Sequence, residues 1–210
     1  MTRNNLAWDM EVGGCSMKDA LKFKPEFEAS GSLKDPIKIA ADIANKEQKW
    51  KDGFALSALT GRILVSGFRD IATGETTYIE GDEKTIIEKT LTTLGNNTIF
   101  GHYVYTYDVP MLLRRAWALD ISFVQWLGFD RRDWEGNNIY DTAHRWSFNL
   151  GGDEKYISLD FLAKHLGVGE KNGKGADFSE LYARDRDAAL TYFGNDLFLT
   201  AGCAKKLFFL

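Results

Sequence analysis

The sequence predicts an α/β domain around a central mixed β-sheet flanked by helices. Three observations carry that expectation. Short apolar strands come early, two of them joined by a tight turn; strands then alternate with stretches of helical periodicity. With 210 residues, 44% of them hydrophobic, the chain has enough apolar side chains for one substantial core. No internal repeat, low-complexity tract or convincing boundary interrupts it, so a single domain over 1–210 is expected.

Leu6 to Val12 reads as a buried first strand, and Gly13 to Gly31, of mixed polarity, as irregular. Asp35-Pro36 opens a helix, with Asp as N-cap and Pro at the first helical position. Ile37, Ala40, Ala41 and Ala44 give it a weak apolar stripe as far as about Lys51. After the Thr60-Gly61 turn, Arg62 to Phe68 and Thr76 to Ile79 are strands linked through Ala72-Thr73-Gly74-Glu75 as a hairpin. Asp82 caps a helix over Glu83 to Leu94, whose apolar face is Ile86, Ile87, Leu91 and Leu94. Thr98 to Phe100 is a short strand, and Met111, Leu112, Ala116 and Leu119 mark a helix from Val109 to Leu119. Ile139 to Asp141 is a last strand, and Ser158 to Leu166 a helix closed by Gly167. Gly169 to Gly175 reads as a flexible loop whose glycines do not match a phosphate-binding fingerprint. The longest element is one helix from about Arg184 to Leu207, with Leu190, Phe193, Leu197, Ala201, Ala204 and Phe208 as its core stripe.

A net charge of -4 rules out holding nucleic acid by overall positive charge. Arg114-Arg115 and Arg131-Arg132 are local basic pairs, for which solvated surface is the plainer reading. Cys15 and Cys203 have neither zinc-site nor disulfide-framework spacing. No apolar run reaches the ~18 residues needed to span a bilayer, and Met1 to Asn5 lead into a strand without a signal-peptide core. A cytoplasmic protein with no membrane partner is expected.

Five side chains stand out as chemistry. Side chains alternate along a strand, so Asp9 and Glu11 share one face of the first, their Cα atoms about 7 Å apart at ~3.3 Å rise per residue. Two carboxylates on a buried face need neutralising, and a metal ion does that; an edge strand facing water is the bland alternative. Tyr192 and Asp196, four apart, share a face of the last helix. Asp108, two residues before Pro110, also fits a plain helix start. No Lys or His stands among them to replace a metal. Singly, each motif suits a structural role; the combination in this order is what points to a site.

That combination resembles the 3'-5' exonucleases of the DEDD superfamily, in their Tyr-containing branch, with a ribonuclease H-like fold. The likeness is to stand-alone relatives of the proofreading domain of family B DNA polymerases, and it covers essentially the whole chain. Asp9 and Glu11 fall on the first family motif; Asp108 with Val109-Pro110-Met111-Leu112-Leu113-Arg114-Arg115-Ala116 falls on the second; Tyr192 with Asp196 falls on the third. Ile139-Tyr140-Asp141-Thr142 and Ser158-Leu159-Asp160 with Leu166-Gly167 resemble further family blocks. The sister branch carries a His five residues before the final Asp, where this chain has Thr191, so His102, His144 and His165 are expected in structural or surface roles. Two departures stand out: Tyr103 where many relatives have Asn, and a stretch over 13–61 that reads as an insertion between the first and second strands. That stretch either lines the substrate path or decorates the surface.

The resemblance implies divalent-metal-dependent hydrolysis of single-stranded DNA from its 3' end to nucleoside 5'-monophosphates. Two Mg2+ or Mn2+ ions are implied, bridged by Asp9, with Glu11 and Asp196 completing the first site and Asp108 holding the second. Tyr192, with an ordinary pKa near 10, is cast as orienting the attacking water. Single-stranded DNA 3' ends are the implied partner, with Trp50, Tyr103, Tyr105 and Trp134 as candidate stacking platforms and core burial as their alternative. RNA trimming of the ribonuclease D kind uses the same catalytic set, and a catalytically silent nucleic-acid-binding module on this fold is the reading from another class.

Overall fold

The computed structural model describes residues 3–122, 138–148, 156–173 and 175–210. The chain divides into two compact units, Met1–Glu11 with Ile63–Leu210, and Val12–Arg62. The strands are β1 (Asn5–Gly14), β2 (Gly61–Asp70), β3 (Thr76–Ile79), β4 (Thr98–Gly101) and β5 (Ile139–Asp141), and they form one sheet in the order β3-β2-β1-β4-β5. β2 and β3 pair antiparallel, with Phe68 opposite Thr77. β1, β4 and β5 run parallel, with Ala7 opposite Phe100 and Phe100 opposite Tyr140. The Ile71 N–H, just past the end of β2, donates to the Asn5 carbonyl at the start of β1 (2.9 Å), so those two strands run in opposite directions. The sheet is mixed and helix-flanked, as expected, and β1 is its central strand.

Among the described residues, the helices of the sheet-bearing unit are α3 (Glu83–Asn96), α4 (Asp108–Ala118), α5 (Thr142–Ser147), α6 (Leu159–His165), α7 (Phe178–Arg184) and α8 (Arg186–Phe208). Asp82 starts α3 by accepting the Thr85 N–H (3.0 Å), and Ser158 starts α6 by accepting that of Phe161 (3.3 Å). The expected last helix is one element, α8, beginning at Arg186. At Asp185 the backbone is extended (φ -148, ψ 90), and the carboxylate accepts the Ala188 N–H at 3.0 Å, so Asp185 acts as an N-cap rather than an interior residue. α5 and α7, short and carried by tertiary contacts, were not expected.

α8 fixes much of the site. Its 23 residues span about 34 Å at 1.5 Å per residue. It lies so close to β2 that a Cβ on Gly67 would sit 2.6 Å from atoms of Phe193 and Leu197. Gly194 is equally constrained: a Cβ there would sit 2.5 Å from the Tyr78 hydroxyl, which donates to the Leu190 carbonyl at 2.9 Å. Further along, Ala201 and Ala204 pack on Ala7 and Phe100, while Leu199 and Cys203 pack on α6. The rotation of α8, and with it the direction of Tyr192 and Asp196, is set by these contacts.

Arg115 is not part of a basic surface pair. It is buried, and its guanidinium grips the Glu83 carboxylate through Nε (2.8 Å) and Nη2 (2.7 Å), joining α4 to α3. Glu83 also accepts the Ile63 N–H at 3.0 Å, which extends the tie to β2.

The unit Val12–Arg62 contains α1 (Met17–Ala20) and α2 (Pro36–Asp52). α1 falls in the stretch expected to be irregular, and Ser16 caps it by accepting the Asp19 N–H (3.2 Å). α2 begins where expected, on the Asp35 cap, but its apolar stripe is not a core face: none of its residues is buried and Ile37 is 80% exposed. Packing here is aromatic, with Trp50 edge-on to Phe54 (4.6 Å) and Phe27 (6.2 Å).

Candidate functional site

All five singled-out side chains belong to the sheet-bearing unit, each placed by different backbone. On β1, Trp8 and Met10 are buried while Asp9 and Glu11 stay partly exposed, the alternation the strand demands. Trp8 Nε1 donates to Ser66 Oγ (3.0 Å) and so locks the opposite face. The Met10 N–H donates to Asp9 Oδ1 at 2.8 Å. Asp108 is the buried first residue of α4. The loop before it is pinned by Asp141, whose carboxylate accepts the N–H groups of Tyr103 and Tyr105 (both 3.2 Å) and, at the start of α5, of Ala143 (2.9 Å) and His144 (3.1 Å). Within that loop Tyr103 holds φ 60, a conformation disfavoured outside glycine. On α8, Tyr192 donates its hydroxyl to Asp196 Oδ2 at 3.1 Å, both residues being buried.

The structure gathers the four carboxylates into one electrostatic neighbourhood. Burial, then repulsion from Asp196, pushes the Asp9 carboxyl up to about 7, against the pull of the Met10 N–H and Lys171. Burial followed by Asp9 and Asp196 pushes Glu11 up to about 9. Asp108 is raised well above the usual carboxylate range, by burial first and then by Asp9 and Asp141. Asp196 is also raised by burial, with Lys171 opposing. The Tyr192 phenol is driven above its ordinary range by burial and then by Asp196 and Glu11.

Two neighbours escaped the reading of the sequence. Lys171, in the glycine-rich loop expected to be merely flexible, puts Nζ 2.6 Å from Asp196 Oδ2 and 5.8 Å from the centre of the Tyr192 ring. The expectation that no lysine serves the cluster is therefore corrected. Tyr107, adjacent to Asp108, has its phenol raised by burial and then by Asp108, Glu11 and Asp9, which places a second hydroxyl side chain at the cluster. Adjacency to a motif residue was the available signal for Tyr107; Lys171 carried none.

The other candidates separate. Tyr105 is buried with its hydroxyl on the Ile139 carbonyl, Trp50 is half-buried in its own unit, and Tyr103 stays partly exposed. Trp134 and Arg131-Arg132 lie outside the described residues. His102 is held between Thr142 Oγ1 (2.9 Å) and the Ile157 carbonyl (3.0 Å), and burial lowers its pKa to about 4, so it is neutral.

The donor set is all carboxylate, which suits hard divalent ions. Asp196 Oδ1 is buried with no hydrogen-bond partner among the described residues, in a residue only 3% exposed. A buried carboxylate oxygen without a donor is answered by a cation, a proton or a water from outside the chain. As they stand, no three acidic, histidine or cysteine side chains among the described residues close on a single ion position. The donors fit the chemistry of a hard divalent ion.

No protein-family model matches the chain, and no curated protein does. Among solved structures it is similar to the family B DNA polymerase from the hyperthermophilic archaeon Pyrobaculum calidifontis, at 17% identity and a TM-score of 0.59. The match covers 99% of this chain and 25% of the polymerase, so the chain spans about a quarter of that protein's length. The likeness carries the fold, which is ribonuclease H-like; it says nothing of residue roles.

Proposed function

We propose that the protein is a divalent-metal-dependent 3'-5' exonuclease that degrades single-stranded DNA from its 3' end to nucleoside 5'-monophosphates. The observation that carries this reading is the gathering of Asp9, Glu11, Asp108 and Asp196 in a desolvated cluster, with one Asp196 oxygen left without a donor. Carboxylates so placed repel one another until cations enter. Asp9 would be shared between two Mg2+ or Mn2+ ions, with Glu11 and Asp196 holding one and Asp108 the other. When bound, the ions supply Lewis acidity at the scissile phosphate and lower the pKa of a coordinated water.

The chain's own residues do the rest. The Met10 N–H on Asp9 and the Asp141 ties on the Asp108 loop hold two of the carboxylates at fixed backbone positions. Because its phenol is pushed upward, Tyr192 remains a neutral hydroxyl at working pH. Its part is then to orient the attacking water by a hydrogen bond rather than to take its proton. Tyr103, strained and partly exposed on the Asp108 loop, is the stacking candidate on that loop that the core does not bury.

A time course on 5'-labelled single-stranded DNA and RNA oligomers, with Mg2+, Mn2+ or excess chelator, tests the reading. The expected outcome is a ladder shortening from the 3' end of DNA that stops with chelator. Full activity in chelator, or mid-chain cuts on a circular single strand, would overturn it. Faster loss of RNA would turn the assignment to RNA trimming, and binding without cleavage to a silent module.

A further inference from the structure

The loop between α6 and α7 is fastened onto the cluster. Asp160 Oδ1 accepts the Lys171 N–H at 2.8 Å, and the Asn195 side chain, on α8, donates to the Glu170 carbonyl at 3.1 Å. Gly173 then passes so close to the Tyr192 ring that a Cβ there would meet Cδ2 at 2.8 Å. These three fixings bring the Lys171 ammonium to 2.6 Å from Asp196 Oδ2, and its charge is felt at Asp9 and Glu11 as well. Asp196 Oδ2 is thus doubly engaged, by Lys171 and by the Tyr192 hydroxyl, while Oδ1 has no donor.

A single ammonium among four carboxylates neutralises only part of their charge. It is also a compact point charge on a flexible stem, able to release one partner for another. A divalent ion and an ammonium cannot both sit against one desolvated carboxylate oxygen without strong repulsion.

We propose that Lys171 is a tethered stand-in cation, bound to Asp196 in the metal-free protein and released as a divalent ion enters, so that metal uptake and the Lys171–Asp196 ion pair form one equilibrium. The proposal rests on the reading of the cluster as a metal centre. Removing the ammonium removes the competitor, so Lys171→Met binds Mn2+ more tightly, on the order of 10-fold for one displaced ion pair. The loop itself, held through Asp160 and Asn195, stays in place.

The test is Mn2+ binding to the wild-type protein, Lys171→Met and Asp196→Asn, followed by the electron paramagnetic resonance of free Mn2+ and by melting with chelator or saturating Mn2+. Lys171→Met should bind Mn2+ more tightly than wild type, melt lower in chelator, and gain more from Mn2+. Asp196→Asn should bind more weakly. Equal or weaker Mn2+ binding in Lys171→Met, or an unchanged metal-induced rise in melting temperature, would mean that the lysine is only structural. Failure of both wild type and Lys171→Met to bind Mn2+ would remove the metal centre along with the stand-in. A second measurement needs no variant. In wild-type protein, the labelling of Lys171 by an acylating reagent, read by mass spectrometry, should rise when Mn2+ is added. Unchanged or reduced labelling would overturn the release.

Discussion

Helices α2 and α8 both begin on an aspartate: Asp35 accepts the Ile37 N–H at 2.8 Å, and Asp185 that of Ala188 at 3.0 Å. From there they diverge. α2 answers its charges locally, with Lys46 on Asp42 (3.0 Å), Lys51 on Glu47 (3.2 Å) and Lys24 on Glu47 (3.0 Å), all in reach of water. α8 carries Tyr192 and Asp196 into the packed interior, where Asp196 depends on Lys171 from a distant loop and still has an oxygen without a donor. Exposed charge is screened and needs little from the fold. Buried charge has to be answered by groups that only the fold can deliver, and the candidate site lies on the helix that carries such charge.

The comparison breaks most sharply at Asp9. Asp9→Asn keeps the side-chain shape and removes a shared charge, so DNA degradation should fall on the order of 1000-fold or more while the protein stays folded. Loss of folding by circular dichroism, with activity retained in the soluble remainder, would return Asp9 to a structural role. Next in size is Arg115→Ala. It strands Glu83 inside the protein and should cost about 3–5 kcal/mol in chemical denaturation. Cutting the Lys46–Asp42 pair on α2, which is open to water, should leave the denaturation midpoint nearly unchanged. Similar costs for the two would erase the distinction between the regions.

Tyr192→Phe keeps the ring under Gly173 and removes only the hydroxyl. A lost water-orienting contact should slow the reaction by about 10- to 1000-fold with little change in metal affinity. Normal turnover with a lower melting temperature would make the hydroxyl a packing feature.

A subtler effect is the pH dependence of the metal-free protein. Asp9 and Glu11 have folded pKa values of about 7 and about 9, raised from 3.8 and 4.5. A carboxyl raised on folding binds its proton more tightly in the native state. Its stabilisation is complete below the unfolded pKa and disappears as pH rises through the folded one. Stability in chelator should therefore decline from about pH 4 towards pH 9, and Asp9→Asn should flatten the slope. Added Mn2+ should reverse the loss at high pH, since it replaces the proton. A melting temperature that rises across this window in chelator would contradict the raised values.

The elements legible in the sequence are those whose cause is local. Asp35-Pro36, Asp82 and Ser158 start helices because a side-chain oxygen satisfies backbone N–H groups two or three residues on, which needs no other part of the chain. The β2–β3 hairpin follows from its turn, and Asp9 and Glu11 share a face because a strand alternates. Tertiary structure decided the rest. The seating of α8 against Gly67 of β2 and Tyr78 of β3 comes from packing, not from any pattern along the chain. The weak apolar stripe of α2 holds no buried residue, because periodicity reports which residues share a side, not whether anything packs on it. Lys171 is the clearest case. A lysine among glycines has no pattern to betray it, because its meaning comes from Asp160, Asn195 and the Tyr192 ring, which meet it only after the chain has folded. Spacing along the chain determined which carboxylates could share a face; the electrostatics of burial, long-range and set by packing, decided which cation answers them.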